Sequence, residues 1–173
     1  MLYSFTREII IMKKWLITIT LLGTLISNTA WADLAQNKQD FNAKTQQFLS
    51  ALSQSIAKMD NNLKALAQNE QKLQGYLRDQ PSAQEKQCIN AMLTRATGTK
   101  KLVTTMRQQL VNARTKMPQL RDKASKAQSS AQLNQAADQA NALVQGLNAT
   151  GEKNSQMAER WTANVEKACA GLE

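Results

Sequence analysis

The sequence contains no histidine, and this absence weighs against two broad classes of functional site. Histidine is the commonest general base in enzymes and a common ligand of zinc and haem iron. We therefore expect neither a zinc centre nor a haem. The two cysteines, Cys88 and Cys169, are too far apart in sequence for a CxxC motif, so a thioredoxin-like redox pair is not expected either.

Glycine, proline and aromatic residues are scarce, with 6 Gly, 2 Pro and 5% aromatics in 173 residues. The sequence has no glycine-rich phosphate loop, no GxSxG turn and no SxxK motif with its partner motifs. Glu152, Glu159, Glu166 and Glu173 recur every seven residues, which is typical of a solvated helix face. The sequence therefore predicts a protein that is not an enzyme, with no catalytic residue, no metal ligand and no cofactor.

Long hydrophobic runs are also missing. The apolar stretch over 15–26 has twelve residues, whereas a helix needs about 20 to cross a membrane. Lys13 and Lys14 precede this stretch and Ala-Trp-Ala at 30–32 follows it, as in a secretory signal peptide. We predict a signal peptide over 1–32 that is cleaved off and leaves no transmembrane anchor. An uncleaved N-terminal anchor is the alternative.

The first eleven residues place an acid and further apolar residues ahead of the lysines, which suits a true start at Met12 better than a functional extension. The predicted mature chain, 33–173, has 141 residues, enough for one domain with its own core. Its abundance of Ala, Gln, Lys, Asn and Leu favours long helices. Because a cleaved signal peptide directs export, we predict that the mature protein is periplasmic or secreted.

Apolar residues of the mature chain recur at alternating steps of three and four, the pattern of a heptad repeat. In the first series only Glu70 is charged, and the second series runs from Ile89 to Ala127. Apolar residues outside the strict repeat are predicted to widen the core of a bundle. They are Phe41, Phe48, Tyr76, Leu102, Leu143 and Met157.

The boundaries of the helices follow from caps and from the phase of the repeat. Ser82 and Glu85 form a capping-box pattern that predicts the start of the second helix. The repeat keeps its phase across Pro118 and across Gly151, so neither residue is expected to end a helix. The predicted fold is all-α, an antiparallel three-helix bundle of long coiled-coil-like helices. The alternative is a four-helix bundle with breaks at Pro118 and Gly151.

The cysteines provide an independent constraint on this layout. In an oxidising compartment they form one disulfide, and their midpoint falls between Gln128 and Ser129. Residues equidistant from a turn lie side by side in antiparallel helices, so the bond requires a chain reversal near the polar sequence AQSSAQ. The sequence therefore predicts a Cys88–Cys169 disulfide and three helices of about 45 residues, each some 65 Å long.

Basic residues are concentrated in the second helix. The mature chain carries 19 basic and 12 acidic side chains, a net charge of +7, whereas 95–126 carries nine basic residues against Asp122, a net charge of +8. Four of the nine are spaced by seven and share one line along the helix. The predicted partner-binding stripe consists of Lys100, Arg107, Arg114, Lys116, Arg121, Lys123 and Lys126.

Two interpretations of this stripe remain open: a solvated flank of a thin core, or a binding site for an acidic protein or an anionic envelope surface. Nucleic acid is not expected, because 95–126 has no aromatic residue to stack on bases. We expect an interaction protein of the cell envelope. The alternative is a periplasmic chaperone or stress protein that holds unfolded clients with Phe41 and Phe48. The alanine-rich heptad positions also leave a homodimer open.

Overall fold

The computed structural model of the protein describes residues 34–172, so the predicted signal peptide and the proposed start at Met12 lie outside the described residues. Three helices fill this part of the chain: α1 (Leu34–Arg78), α2 (Ala83–Lys126) and α3 (Ser130–Ala168). They form a three-helix bundle in which α1 contacts α2 and α2 contacts α3. No strand occurs among the described residues. The predicted fold class is confirmed.

Helix α2 begins with the capping box that the sequence predicts. The Ser82 N–H donates to Glu85 Oε2 (2.8 Å), and the Glu85 N–H donates to the Ser82 hydroxyl (3.3 Å). Each bond satisfies a backbone N–H that has no acceptor inside the helix. The hydrogen bonds from Ser82 also hold the pKa of the Glu85 carboxyl below its ordinary value.

Helix α3 opens with a related cap that was not predicted from the sequence. The Gln132 N–H donates to Ser129 Oγ (3.4 Å), and the Gln128 N–H donates to Gln132 Oε1 (2.7 Å). The sequence Ser-x-x-Gln matches a capping-box pattern, but Gln132 accepts the N–H of the residue before the cap instead of that of Ser129 itself. Because α2 ends at Lys126 and α3 begins at Ser130, the chain reverses where the midpoint of the cysteines predicted it.

We expect Ser129→Ala to lower the free energy of unfolding by about 1 kcal/mol, because alanine cannot accept the N–H at this helix start. Urea denaturation followed by far-ultraviolet circular dichroism measures the change. Ser130→Ala is the matched control, since the neighbouring hydroxyl makes no hydrogen bond within the described chain. Equal losses in the two variants would show that Ser129 does not act as a cap.

Helix α2 continues through Pro118, and α3 continues through Gly151. Proline removes one backbone donor and usually kinks or ends a helix. Here the preceding residue, Met117, is fully buried, and the heptad positions on both sides of Pro118 stay in the core. Packing of the flanking turns therefore outweighs the lost hydrogen bond, and the four-helix alternative is wrong.

The heptad positions of α2 are buried along its whole length. This pattern fits a helix that packs against a neighbour on each of two sides. The eleven buried positions are Ile89, Met92, Ala96, Thr99, Val103, Met106, Leu110, Ala113, Met117, Leu120 and Ala124, and the next position of the repeat, Ala127, is buried just after the helix ends. The repeat in α1 is less completely buried, because Met59, Leu63 and Glu70 are only half-buried.

The described chain divides into two compact units, and every helix contributes to both. We name residues 59–106 with 150–172 the disulfide unit. We name residues 34–58 with 107–149 the basic unit.

The core of the disulfide unit combines residues of all three helices around a cystine. Its buried members are Leu73, Cys88, Ile89, Met92 and Val165. The Cys88–Cys169 bond is formed, as predicted, and joins the start of α2 to the residue that follows α3. A disulfide of this kind is compatible with an exported protein.

The core of the basic unit combines two phenylalanines with many alanines. Phe41 and Phe48 of α1 are 2% and 1% exposed, which confirms their predicted place in the core. The buried alanines of this unit are Ala113 and Ala124 of α2, Ala127 between the two helices, and Ala136, Ala137 and Ala140 of α3. Small side chains reduce the distance at which helices pack. Because both phenylalanines are buried, neither is available to hold an unfolded client.

The other apolar residues outside the strict repeat have mixed positions. Leu102, Leu143 and Met157 are half-buried, in line with a widened core. Tyr76 is 36% exposed, so its predicted place in the core is wrong. It lies in the last turn of α1, where a tyrosine can keep its hydroxyl in water.

Candidate functional site

The positive charge of the protein is greatest in the basic unit. Its described residues carry nine basic and three acidic side chains, a net charge of +6. The described residues of the disulfide unit carry ten basic and seven acidic side chains, a net charge of +3. A surplus of one sign creates a potential that attracts oppositely charged partners. The basic unit is therefore the candidate for a binding site.

Four residues of the predicted stripe are exposed on the part of α2 that belongs to the basic unit, and one of them, Lys126, pairs with Asp122. The other three are Arg114, Lys116 and Lys123, and no acidic side chain of the described chain forms an ion pair with any of these three. We call these three residues the exposed basic trio. Their charges face solvent and are available to a partner.

Three further stripe residues of the basic unit are less available. The Lys126 ammonium pairs with Asp122 Oδ2 at 2.8 Å, one helical turn earlier. The Arg121 guanidinium donates to Gln46 Oε1 of α1 (2.7 Å), so this cation joins two helices. Arg107 is half-buried. The predicted stripe thus combines free cations with cations that the bundle already uses.

Lys100, the remaining stripe residue, lies in the disulfide unit and has a structural contact. Its ammonium donates to Glu70 Oε2 (2.9 Å), and the Thr97 hydroxyl donates to Glu70 Oε1 (2.9 Å). These two donors explain why α1 tolerates a carboxylate in its apolar repeat. The sequence showed Glu70 as an interruption and Lys100 as a surface cation, but not that the two meet between α1 and α2.

The contact changes the titration of Glu70. The hydrogen bond from Lys100 is the main cause of a lowered pKa, burial opposes it, and the hydrogen bond from Thr97 lowers it further. The folded state therefore favours the ionised carboxyl. Its stabilising contribution is complete above the pKa of a glutamate in the unfolded chain, about 4.3, and is lost as pH falls through the lower folded-state pKa.

We expect Glu70→Gln to lower the free energy of unfolding at neutral pH by up to about 1 kcal/mol, because the partly exposed pair is screened by water. The difference from the wild type should shrink at a pH below the folded-state pKa. Urea denaturation at neutral and acidic pH measures both values. Glu159→Gln, at an exposed position of α3, is the control. A difference that is unchanged at acidic pH would contradict the role of the ionised pair.

Arg95 is a basic residue of the charged window that the structure buries. It is 7% exposed and lies in the disulfide unit. Burial lowers the pKa of its guanidinium, and the negative charge of Glu166 opposes that effect. Arg95 therefore contributes a charge to the interior and not to a binding surface. Glu166 itself is exposed, as are Glu152 and Glu159, which agrees with the predicted solvated face.

A groove lies between α2 and α3 within the basic unit, with a volume of about 430 Å³. Lys116 and Lys123 of the exposed basic trio line it. Its apolar lining residues are Leu120, Ala142 and Leu143, and its uncharged polar ones are Gln119 and Gln139. The groove thus places two free cations beside a short apolar surface.

Comparison of the chain with protein-family models, curated proteins and solved structures finds no match. The function has to be argued from the site itself. Within residues 34–172, no group of three or more His, Cys, Asp or Glu side chains is arranged to hold a metal ion. None of the described helices combines the length and the apolar character needed to cross a membrane.

Proposed function

We propose that this protein acts by binding, without catalysis, and that its partner is an acidic protein of the cell envelope. The exposed basic trio is the observation that carries the proposal. These cations lie on one helix, in the unit with a net charge of +6, and no described acid pairs with them. At about 3.6 residues per turn, Lys116 and Lys123 share one flank of α2 and Arg114 lies on the other. A surplus of charge of one sign speeds and orients association with an oppositely charged surface.

We further propose that the protein is exported to the periplasm, or secreted, after removal of residues 1–32. The lysines, the apolar stretch over 15–26 and the Ala-Trp-Ala sequence support this processing. The Cys88–Cys169 disulfide supports an oxidising compartment. N-terminal sequencing of protein from the periplasmic fraction is expected to begin at Asp33. A chain that retains 15–26 would contradict the proposal.

Charge reversal at matched positions tests the binding proposal. The test variant reverses the exposed basic trio: R114E, K116E and K123E. The control variant reverses three exposed basic residues of the disulfide unit: K86E, K153E and R160E. Both variants change the net charge by the same amount, so only the position of the charge differs.

Each protein is immobilised and incubated with envelope proteins at low and high salt, and the retained proteins are quantified by mass spectrometry. We expect one acidic partner, retained in stoichiometric amount, whose retention falls about tenfold at high salt and in the test variant but not in the control. Equal losses of retention in both variants would show that binding depends only on net charge. Retention of the partner by the test variant would overturn the proposal.

Three other results would point to other functions. Salt-insensitive retention of many unfolded proteins would favour the chaperone alternative, for which the buried Phe41 and Phe48 supply no exposed aromatic surface. Tight binding to vesicles of phosphatidylcholine and phosphatidylglycerol, without a protein partner, would favour an anionic envelope surface. Turnover of a substrate would overturn the non-catalytic proposal.

A further inference from the structure

We infer that the groove between α2 and α3 in the basic unit receives one acidic amphipathic helix of the partner. The inference rests on the proposed function and adds the form and chemistry of the bound segment. The groove is lined by Lys116, Gln119, Leu120, Lys123, Gln139, Ala142 and Leu143.

The charges of the groove define a spacing. Lys116 and Lys123 are seven residues apart on α2, which is about two helical turns or 10.5 Å. Asp122, beside Lys123, is paired with Lys126, and Asp138 on α3 forms no ion pair with either groove lysine. The two ammonium groups are therefore not neutralised from within. A partner helix with carboxylates seven residues apart places one carboxylate opposite each lysine.

The apolar lining lies at the level of these lysines. Leu120 is buried and anchors this surface in the core, whereas Leu143 keeps part of its side chain exposed. Ala142 is exposed, and its small side chain permits close approach of a partner backbone. Two leucines or isoleucines between the carboxylates of a partner helix would cover this surface. Apolar contact flanked by charge pairs is the helix-in-groove mode of recognition.

The form of the groove favours a helix over a lipid chain or a strand. An acyl chain gains most when water is removed from its whole surface, whereas this groove is partly open to solvent. A bound strand would need a sheet edge, and none exists in the described part of the chain. Gln119 and Gln139 supply amide groups that can hydrogen-bond the polar flank of a helix.

The test uses a synthetic probe and a matched pair of substitutions. The probe is an amphipathic peptide with glutamates seven residues apart and leucines between them, compared with a scrambled peptide of the same composition. Ala142→Lys fills the groove but adds a positive charge, whereas Ala149→Lys adds the same charge at an exposed position of α3 outside the groove. A purely electrostatic surface gains affinity in both variants.

We expect the wild-type protein to bind the amphipathic peptide about tenfold more tightly than the scrambled one. Ala142→Lys should weaken binding about tenfold, and Ala149→Lys should leave it unchanged or stronger. Amide shifts in nuclear magnetic resonance spectra should change at 116–123 and 139–143. If both variants bind the amphipathic peptide alike, or if neither peptide binds, the groove inference is overturned. Preferential binding to phosphatidylglycerol vesicles would also overturn it. The proposed function is tested separately, by capture of an envelope partner.

Discussion

A protein in which Cys88 and Cys169 are both replaced by alanine is expected to lose about 4 kcal/mol of its free energy of unfolding. The disulfide joins residues 81 positions apart, and a cross-link over so long a loop strongly restricts the unfolded chain. Cys88 is 1% exposed inside the apolar cluster of the disulfide unit. Alanine, unlike serine, adds no buried hydroxyl at position 88, so the loss of unfolding free energy results mainly from the missing cross-link.

Urea denaturation of the wild type, the double variant and the reduced wild type measures this effect. The two proteins without the disulfide should unfold at the same, lower urea concentration. Their unfolding free energy should also fall more steeply with urea, because an unfolded chain without the cross-link exposes more surface. Cys88→Ala alone should behave like the double variant. A reduced wild type that keeps the midpoint of the oxidised protein would show that the bond contributes little to stability.

The disulfide also shows why much of the fold could be predicted. A bond between Cys88 and Cys169 fixes the midpoint of a hairpin, and the repeat in α2 keeps its phase across Pro118. These two observations are independent: the first places a reversal near Ser129, and the second argues against one at Pro118. The heptad spacing and the midpoint between the two cysteines can both be read from the sequence. The helices and the turn between α2 and α3 can therefore be predicted without knowledge of side-chain contacts.

The candidate site was less predictable, because a heptad position does not specify what a side chain meets. Lys100, Arg114 and Arg121 share one heptad position, yet Lys100 contacts Glu70, Arg121 contacts Gln46 and Arg114 is exposed. The contacts of Lys100 and Arg121 depend on the residues that α1 places opposite them. The spacing of seven predicted a line of cations but could not separate those that hold the bundle together from those available to a partner.

Burial of Arg95 is a second feature that composition and spacing do not reveal. A basic residue in a basic window is normally assigned to the surface. Arg95 lies seven positions after Cys88, on a side of α2 that the disulfide unit covers. The groove of the basic unit was missed for a similar reason. Leu120 and Leu143 belong to different helices, and their proximity follows from packing and not from either sequence pattern alone.

A close contact between Gly98 and Trp161 in the disulfide unit gives the second large expected effect. A Cβ on Gly98 would lie 2.5 Å from Cη2 and 2.6 Å from Cζ2 of the Trp161 ring. Carbon atoms do not approach so closely, so the indole must move if residue 98 gains a methyl group. A Cβ on Gly75 of α1 would have no atom within 4 Å. Substitution by alanine therefore changes only helix propensity at Gly75, but both helix propensity and packing at Gly98.

We expect Gly98→Ala and Gly75→Ala to change stability in opposite directions. In an open helix interior, alanine is favoured over glycine by about 0.5 to 1 kcal/mol, so Gly75→Ala should stabilise the protein. At Gly98 overpacking of about 1 to 3 kcal/mol opposes that gain, and a net loss is expected. Urea denaturation measures both changes. In a chain beginning at Asp33, Trp161 is the only tryptophan, and its emission should shift to longer wavelength in Gly98→Ala as the ring moves toward water. Stabilisation of both variants with unchanged emission would show that Trp161 does not pack on Gly98.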